Sequence, residues 1–259
     1  QAISGYSVSP AHMNRGDGKG ERDVVYIGRY HCGDNLCKSV TGEVPVNRVE
    51  RSEARKLIHR IGTNIWQTDF AMRFTLWLLY LVEFSDWNSQ EKIGYGCGNT
   101  RTAQCTGYTD YMPYHTGTTQ SSRTTNGVGI QYRNIEGLWD NVLEWCDGCY
   151  YDNKGLNIIL NPNNFSDNEN GTNIGMPSNG YPSRFVVRTV GDFPMFIPTA
   201  SNGSDSTYSC DNWSSGEYDP CICVGGSYYF SKEQGLFYIY ICNISFGHED
   251  ISFRLQELP

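Results

Sequence analysis

Ten cysteines, five histidines and a C-terminal run of aromatic and acidic residues are the side chains of this 259-residue chain with the most chemistry to offer. Cys146-x-x-Cys149 and Cys221-x-Cys223 would together supply four thiolates, the donor set of a structural zinc site. The one-residue gap in the second pair is unusual for zinc, and free thiols or a few disulfides are the simpler reading. The even cysteine count invites a disulfide framework, yet a chain this long does not need one for stability. His12, His31, His59, His115 and His248 are scattered and form no group by spacing. Arg15-Gly16-Asp17 matches an integrin-binding tripeptide, but three residues in a Gly-rich loop arise easily by chance. The glycosylation sequons at Asn164, Asn170, Asn202, Asn212 and Asn243 matter only in a eukaryotic secretory setting.

The segment from Gly225 to Pro259 is a different kind of signal. Small and apolar positions (Gly225, Gly226, Gly235, Leu236, Phe237, Ile239, Ile251, Phe253, Leu255), with Arg254, make a frame. Between them stand Tyr229, Phe230, Glu233, Gln234, Tyr240, Cys242, Phe246, His248, Glu249 and Asp250. No single reaction needs that mixture. A recognition surface does, because aromatic rings give contact area at low entropic cost and polar groups give direction.

The composition is that of a folded chain, with 39% hydrophobic and 19% charged residues. Aromatic residues reach 14% and glycine numbers 28, which favours turns and loops over long helices. A net charge of −8 without a basic stripe argues against nucleic acid as a partner. The most apolar run, from Phe70 to Phe84, is interrupted by Arg73 and closed by Glu83, and falls short of the roughly 20 residues that span a bilayer. It reads as a buried helix, so membrane insertion is not expected. The first residue is Gln1 rather than Met, which implies a longer or processed native chain.

Positioning these residues requires a scaffold of short elements. Ser52 to Ile61 has helical spacing, with Ser52 as the cap, Ala54, Leu57, Ile58 and Ile61 on one face, and Gly62 as the stop. A second helix is expected after Thr68, with Asp69 in its first turn, apolar on nearly all sides and fading near Trp87. Strands are expected at Asp23–Tyr30, Leu156–Leu160 and Arg184–Val190, with loops over 94–129 and much of 150–224. In the 236–242 stretch, alternation sends Phe237, Ile239 and Ile241 inward and Tyr238, Tyr240 and Cys242 outward. Trp139 and Trp145 read as anchors, Gly137 and Gly148 as turns, and Arg254 as the partner of Glu136, Glu144 or Asp147. The fold class is α+β: two helices, short antiparallel strands and long irregular loops. Residues 1–47 read as an N-terminal extension, and 48–259 as one domain whose ligand-binding region is 225–259.

Three blocks in order carry a resemblance. They are the two helices joined by Gly62-Thr-Asn-Ile-Trp66, the stretch Tyr132-Arg-Asn-Ile-Glu-Gly-Leu-Trp139-Asp-Asn-Val-Leu-Glu-Trp145-Cys-Asp-Gly148, and the Gly225-Gly-Ser-Tyr-Tyr229 to Ile251-Ser-Phe-Arg-Leu255 ending. The order resembles the C-type-lectin-like fold shared by formylglycine-generating enzymes and the variable proteins of diversity-generating retroelements, over roughly residues 20–259. The enzyme branch implies two copper-binding cysteines a few residues apart in the final block. Here that block holds Cys242 alone, and Cys221 and Cys223 precede its frame. An iron-dependent relative would need a histidine cluster that the five histidines do not make. The variable-protein branch implies no cofactor, no metal and no catalysis. It implies a diversifiable face at Ser227, Tyr229, Phe230, Glu233, Gln234, Tyr240, Cys242, Phe246, His248 and Asp250, although Glu233 and Gln234 fit the usual codon changes poorly. The resemblance extends to receptor-binding or tail-associated proteins of phages and prophages, displayed on the virion outside the cell after release. It implies other virion proteins as neighbours, a homotrimer, and a bacterial cell-surface protein or glycan as ligand. A structural virion decoration protein, a copper oxidase and a calcium-dependent sugar-binding lectin using Asp211-Asn212-Trp213 are the alternative readings.

Overall fold

The computed structural model describes residues 6–33, 37–98, 100–119, 129–215, 220–230, 234–242 and 247–259. The fold is mixed α+β, with strands predominating.

Helix α1 (Arg51–His59) buries Ala54 and Ile58, the expected face, while Ile61 lies beyond its end and is exposed. Ser52 is inside the helix and does not cap it. Glu50 holds the cap position without a side-chain bond, and Arg60 rather than Gly62 closes the last turn. Tertiary contact sets this start. The Arg51 guanidinium is fully buried and donates to the carbonyls of Cys146 and Cys149, each at 2.8 Å, and to Asp167 at 2.6 Å.

Helix α2 (Phe70–Phe84) begins one residue after Asp69, which is its cap rather than part of its first turn. The Asp69 side chain accepts from the Met72 amide at 2.9 Å, satisfying one of the helix's orphan donors. Burial on every side holds from Phe70 through Trp77, whereas Leu79 and Val82 face solvent on the outer edge. The helix stops at Ser85, which adopts a left-handed φ of 52°, and the short helix α3 (Ser89–Lys92) follows, capped by Asn88.

A five-stranded sheet lies beneath α2, in the order Trp213–Ser215, Ile239–Cys242, Cys221–Val224, Leu143–Cys146, Ile251–Ser252. Its two outer pairings are parallel and its inner ones antiparallel. Both faces are covered. On one, Ile222, Val224, Ile239 and Ile241 share a core with Phe74, Trp77 and Tyr80 of α2. On the other, Cys221, Cys223, Cys242, Leu143 and Trp145 share a core with Ala54 and Ile58 of α1. The alternation along 236–242 is present, but its outward face is a second interior. Tyr238 and Cys242 are buried there, and Tyr240 keeps partial exposure.

A second sheet ties the two ends of the chain together, with Leu255–Glu257 pairing Tyr26–Ile27 on one side and Ile65–Gln67 on the other. Only Tyr26–Ile27 of the expected Asp23–Tyr30 strand is paired. Arg184–Val190 forms as expected, and the Leu156–Leu160 strand forms as Gly155–Ile158. The partner of Arg184–Val190, Phe193–Ala200, contains Pro194 and Pro198, which disguise it as loop. Its two-stranded sheet leaves it an edge, where proline is tolerated. Met13 and Cys32, from the N-terminal stretch, lie within the same two cores.

Candidate ligand-binding site

The site stands on a buried polar network that joins the middle and final blocks. Arg254 is fully buried. Its Nε and Nη2 donate to Glu144 Oε1 at 2.8 and 2.7 Å, Nη1 to the Arg29 carbonyl at 2.7 Å, and Nη2 also to the Glu136 carbonyl at 2.7 Å. Of the three expected partners, Glu144 receives the ion pair, and Glu136 contributes through its backbone. His31 Nε2 lies 3.1 Å from the same Glu144 oxygen. Burial alone would raise the Glu144 carboxyl, but Arg254, His31 and Arg73 outweigh it and hold it well below the usual carboxylate range. Burial, and then the Arg254 charge, push the His31 imidazole down, against the pull of Glu144.

Arg73, the residue that breaks the apolar run of α2, has a structural use. Its Nη2 donates to the carbonyls of Leu138 and Leu236, at 2.7 and 3.1 Å, and Trp77 Nε1 donates to Leu236 O at 2.8 Å. Burial lowers this guanidinium to about 10. Trp139 and Trp145 are anchors as expected: their indoles donate to Gly94 O at 3.0 Å and Val49 O at 2.8 Å. The sharp turn at Gly225-Gly226 packs directly onto this base. Gly225 has φ +74°, and a Cβ there would sit 2.4 Å from the Leu138 carbonyl oxygen. A Cβ on Gly226 would meet Gln234 O at 2.3 Å. Asp211 closes the next turn, accepting from the Gly235 and Phe237 amides at 2.8 and 2.9 Å. Burial raises its carboxyl to about 6, against the pull of those amides.

On this base lies an open cavity of about 470 Å³, within the roughly 300–1,000 Å³ of small-ligand sites. Tyr229, Phe230, Gln234, Tyr240, His248 and Asp250 line it, over a floor of Leu143, Tyr238 and Ile251. Tyr229 and Phe230 are 39% and 42% exposed, large apolar rings held out at the rim. Tyr229 is braced on its face by Tyr228, ring centroids 4.5 Å apart, and at its hydroxyl by Glu249. That hydrogen bond raises the Tyr229 phenol and lowers the Glu249 carboxyl, and Arg48 Nη2 reaches Glu249 at 2.7 Å. His248 Nδ1 is hydrogen-bonded to Asp250 Oδ1, and Gln234 Oε1 accepts from the Ser227 amide at 3.0 Å.

Six of the ten residues named from the sequence thus converge on one cavity. Ser227 is buried and supports the turn through its amide. Cys242 is buried rather than surface-facing. Glu233 and Phe246 lie outside the described residues. The sequence reading missed Leu143, Tyr238 and Arg48. Leu143 belongs to the middle block and Arg48 is 201 positions from Glu249, so no local pattern marks either. For Tyr238 the alternation was a usable signal.

The other chemical candidates resolve by geometry. Cys146 pairs opposite Ile222 and shares its face of the sheet, whereas Cys221 and Cys223 alternate to the opposite face. The four sulfurs therefore do not meet, and among the described residues no group of three or more His, Cys, Asp or Glu is arranged to hold a metal ion. Cys242 does have a thiol neighbour hidden by sequence distance: Cys223 Sγ lies 3.3 Å from its Sγ, with both side chains buried. Both oxygens of Asp211 are committed to backbone amides. Asp140 and Asn141 bond the backbones of Cys97 and Gln104, so they serve as scaffold. The Arg15-Gly16-Asp17 tripeptide is not displayed: Arg15 is buried against Asp69 at 2.7 Å, and Asp17 pairs with Arg22. Neither a protein-family model nor a curated protein matches the chain.

Proposed function

We propose that this chain is a non-catalytic ligand-binding protein of a phage or prophage virion, with a C-type-lectin-like domain whose C-terminal face engages a receptor on the bacterial surface. The observation that carries the reading is the segregation of the final block. Its frame residues Leu236, Phe237, Phe253 and Arg254 are sealed into the cores and the ion network, while Tyr229, Phe230, Tyr240 and His248 gather at one open cavity. A face separated in this way from the groups that hold the fold accepts side-chain changes without loss of the backbone. The joining of the middle and final blocks through Arg254 and Glu144 supports treating the ordered blocks as one lectin-like unit. Weak individual sites on a trimer or a multivalent fibre would gain avidity.

The test has two parts. A reverse transcriptase gene near this one, with an imperfect copy of the codons for residues 225–259, is the expected genomic signature of a variable protein. Fluorescently labelled protein should stain a host strain, and Tyr229→Ala and Tyr240→Ala should abolish staining without changing the melting temperature. Undiminished staining by both variants would remove the cavity from the binding role and leave the decoration reading.

A second reading has one specific observation behind it. The copper-oxidase branch needs a thiol pair, and Cys223 with Cys242 forms one in space. Both thiols are buried away from the cavity lining, and burial raises the Cys223 thiol well above its ordinary value, disfavouring the thiolate that binds copper. Stoichiometric Cu(I) uptake, abolished by Cys242→Ser, would reverse the order of the two readings.

A further inference from the structure

We propose that the cavity at the C-terminal face recognises a quaternary ammonium group, the trimethylammonium headgroup of a choline-type ligand. This deepens the reading of the cavity as a binding site and rests on it.

The argument starts from the wall. Tyr229, Phe230, Tyr238 and Tyr240 contribute four aromatic rings to one 470 Å³ space, with Leu143 and Ile251 beneath. Aromatic faces carry negative quadrupole density and attract a cation of low charge density without needing a directed hydrogen bond. The acidic groups at the cavity outnumber the one arginine beside them. Asp250 lines it and Glu249 stands at its rim, the latter held as carboxylate by the Tyr229 hydroxyl and Arg48. Arg48, the cation at that rim, is already committed to Glu249 at 2.7 Å. His248 is hydrogen-bonded to Asp250. The chain as a whole is at −8, so the long-range field also favours a cation.

Two neighbouring ligand classes fit less well. A primary ammonium carries three donors that must be satisfied when water leaves. The carboxylate lining the cavity, on Asp250, already bonds His248, and the rest of the wall is mainly rings and aliphatic side chains. A quaternary ammonium has no donor to satisfy. A neutral sugar would use the rings for stacking, but its hydroxyls would have to compete for carboxylates already bonded to His248, Tyr229 and Arg48, and it carries no charge to gain from the acidic field. Preorganisation adds to the fit: Tyr229 is fixed at its face by Tyr228 and at its hydroxyl by Glu249, so little side-chain entropy remains to be lost on binding.

The test is calorimetric titration of the full chain with four probes: choline, its uncharged carbon isostere 3,3-dimethylbutan-1-ol, Nα-acetyl-lysine methylamide, and a panel of neutral monosaccharides. Choline should bind, with the isostere weaker by roughly tenfold or more, the scale of a cation–π contribution in a partly dry site. Tyr240→Leu and Asp250→Asn should each weaken choline severalfold, whereas Tyr240→Phe, which keeps the ring, should retain it. Tyr111→Ala, 96% exposed and outside the cavity lining, controls for surface aromatics in general. Equal binding of the isostere, preference for the lysine probe or a sugar, or no binding of choline each overturns the proposal. Loss of cell staining in Tyr229→Ala alongside such a result leaves the receptor-binding reading standing and discards only the ammonium. Intact staining in both Tyr229→Ala and Tyr240→Ala discards both.

Discussion

Arg254 and Tyr229 lie 25 positions apart in the same C-terminal block, yet they inhabit opposite regimes. Around Arg254 the side chains of Glu144, His31 and Arg73 are buried, and the guanidinium is met by Glu144 and by four backbone carbonyls, of Gly28, Arg29, Glu136 and Gly137. Around Tyr229, rings stand partly in water, and the ion pair beside them, Arg48–Glu249, is mostly exposed. The first arrangement fixes three segments relative to each other, and removing Arg254 or Glu144 leaves the other as a buried charge without its partner. The second holds its shape through local bracing and contributes little to the stability of the chain. A rigid base beneath a loosely coupled rim is the arrangement that the proposed diversifiable surface requires.

The contrast can be broken most directly at Arg254. Arg254→Met should cost about 3–5 kcal/mol, because Glu144 stays buried without its principal cation. The urea midpoint reports it, and a loss comparable to a surface substitution would show that the network does not hold the blocks together.

Gly225→Ala should come next, at about 1–3 kcal/mol, since a left-handed backbone and a carbonyl contact are strained together. Unchanged thermal stability would mean that the turn relaxes freely and that the base beneath the cavity is softer than described.

The buried acids give an intermediate and signed effect. Glu144 has a folded pKa below its unfolded value of 4.5, so its stabilisation is present above pH 4.5 and is lost as the pH falls. Glu144→Gln should be less stable at neutral pH and lose that part of the acid dependence. Asp211 has the opposite sign: its folded pKa of about 6 lies above the unfolded 3.8, so the chain gains stability from this group as pH falls from 6 toward 4. Asp211→Asn should remove that gain. Stability curves of both variants at pH 7, 5 and 4 separate the two signs.

Smallest of all should be the rim. Phe230→Ala is expected to shift stability by no more than about 0.5 kcal/mol while weakening ligand or cell binding. A stability loss as large as that of Gly225→Ala would erase the distinction between base and rim. Thiol reactivity sharpens it further. Among ten free cysteines only Cys105 is exposed, so a thiol reagent should modify that residue alone in the native state and the remainder after denaturation. Rapid native labelling of Cys223 or Cys242 would show that the cavity floor opens.

Much of this architecture is written in local residue order. The spacing of Ala54 and Ile58, the start of α2 beside Asp69, its aromatic density and the Arg184–Val190 strand are all set by neighbours within a few positions, where helix and strand periodicity operate, although Asp69 is the cap and not part of the first turn. Trp139, Trp145 and Arg254 could be marked as interior because large rings and a lone guanidinium in apolar surroundings demand burial and partners. Six residues of the candidate face were also legible, since aromatic and acidic fillers among small and apolar frame positions are a pattern in one dimension.

Tertiary structure decided what no single segment contains. Cys242 is interior because α1, from nearly 200 residues earlier, covers the face that alternation leaves outward. Pairing of Cys221–Val224 with Ile239–Cys242 sets Cys223 beside Cys242, and the sheet itself separates Cys146 on one face from Cys221 on the other. Leu143 joins the cavity from the middle block, Arg48 reaches Glu249 beside it from 201 positions away, and Phe193–Ala200 forms a strand despite its prolines because it is an edge. Periodicity tells a residue which way to point relative to its neighbours. Only long-range packing determines whether that direction ends in solvent, in a second core or in a binding cavity.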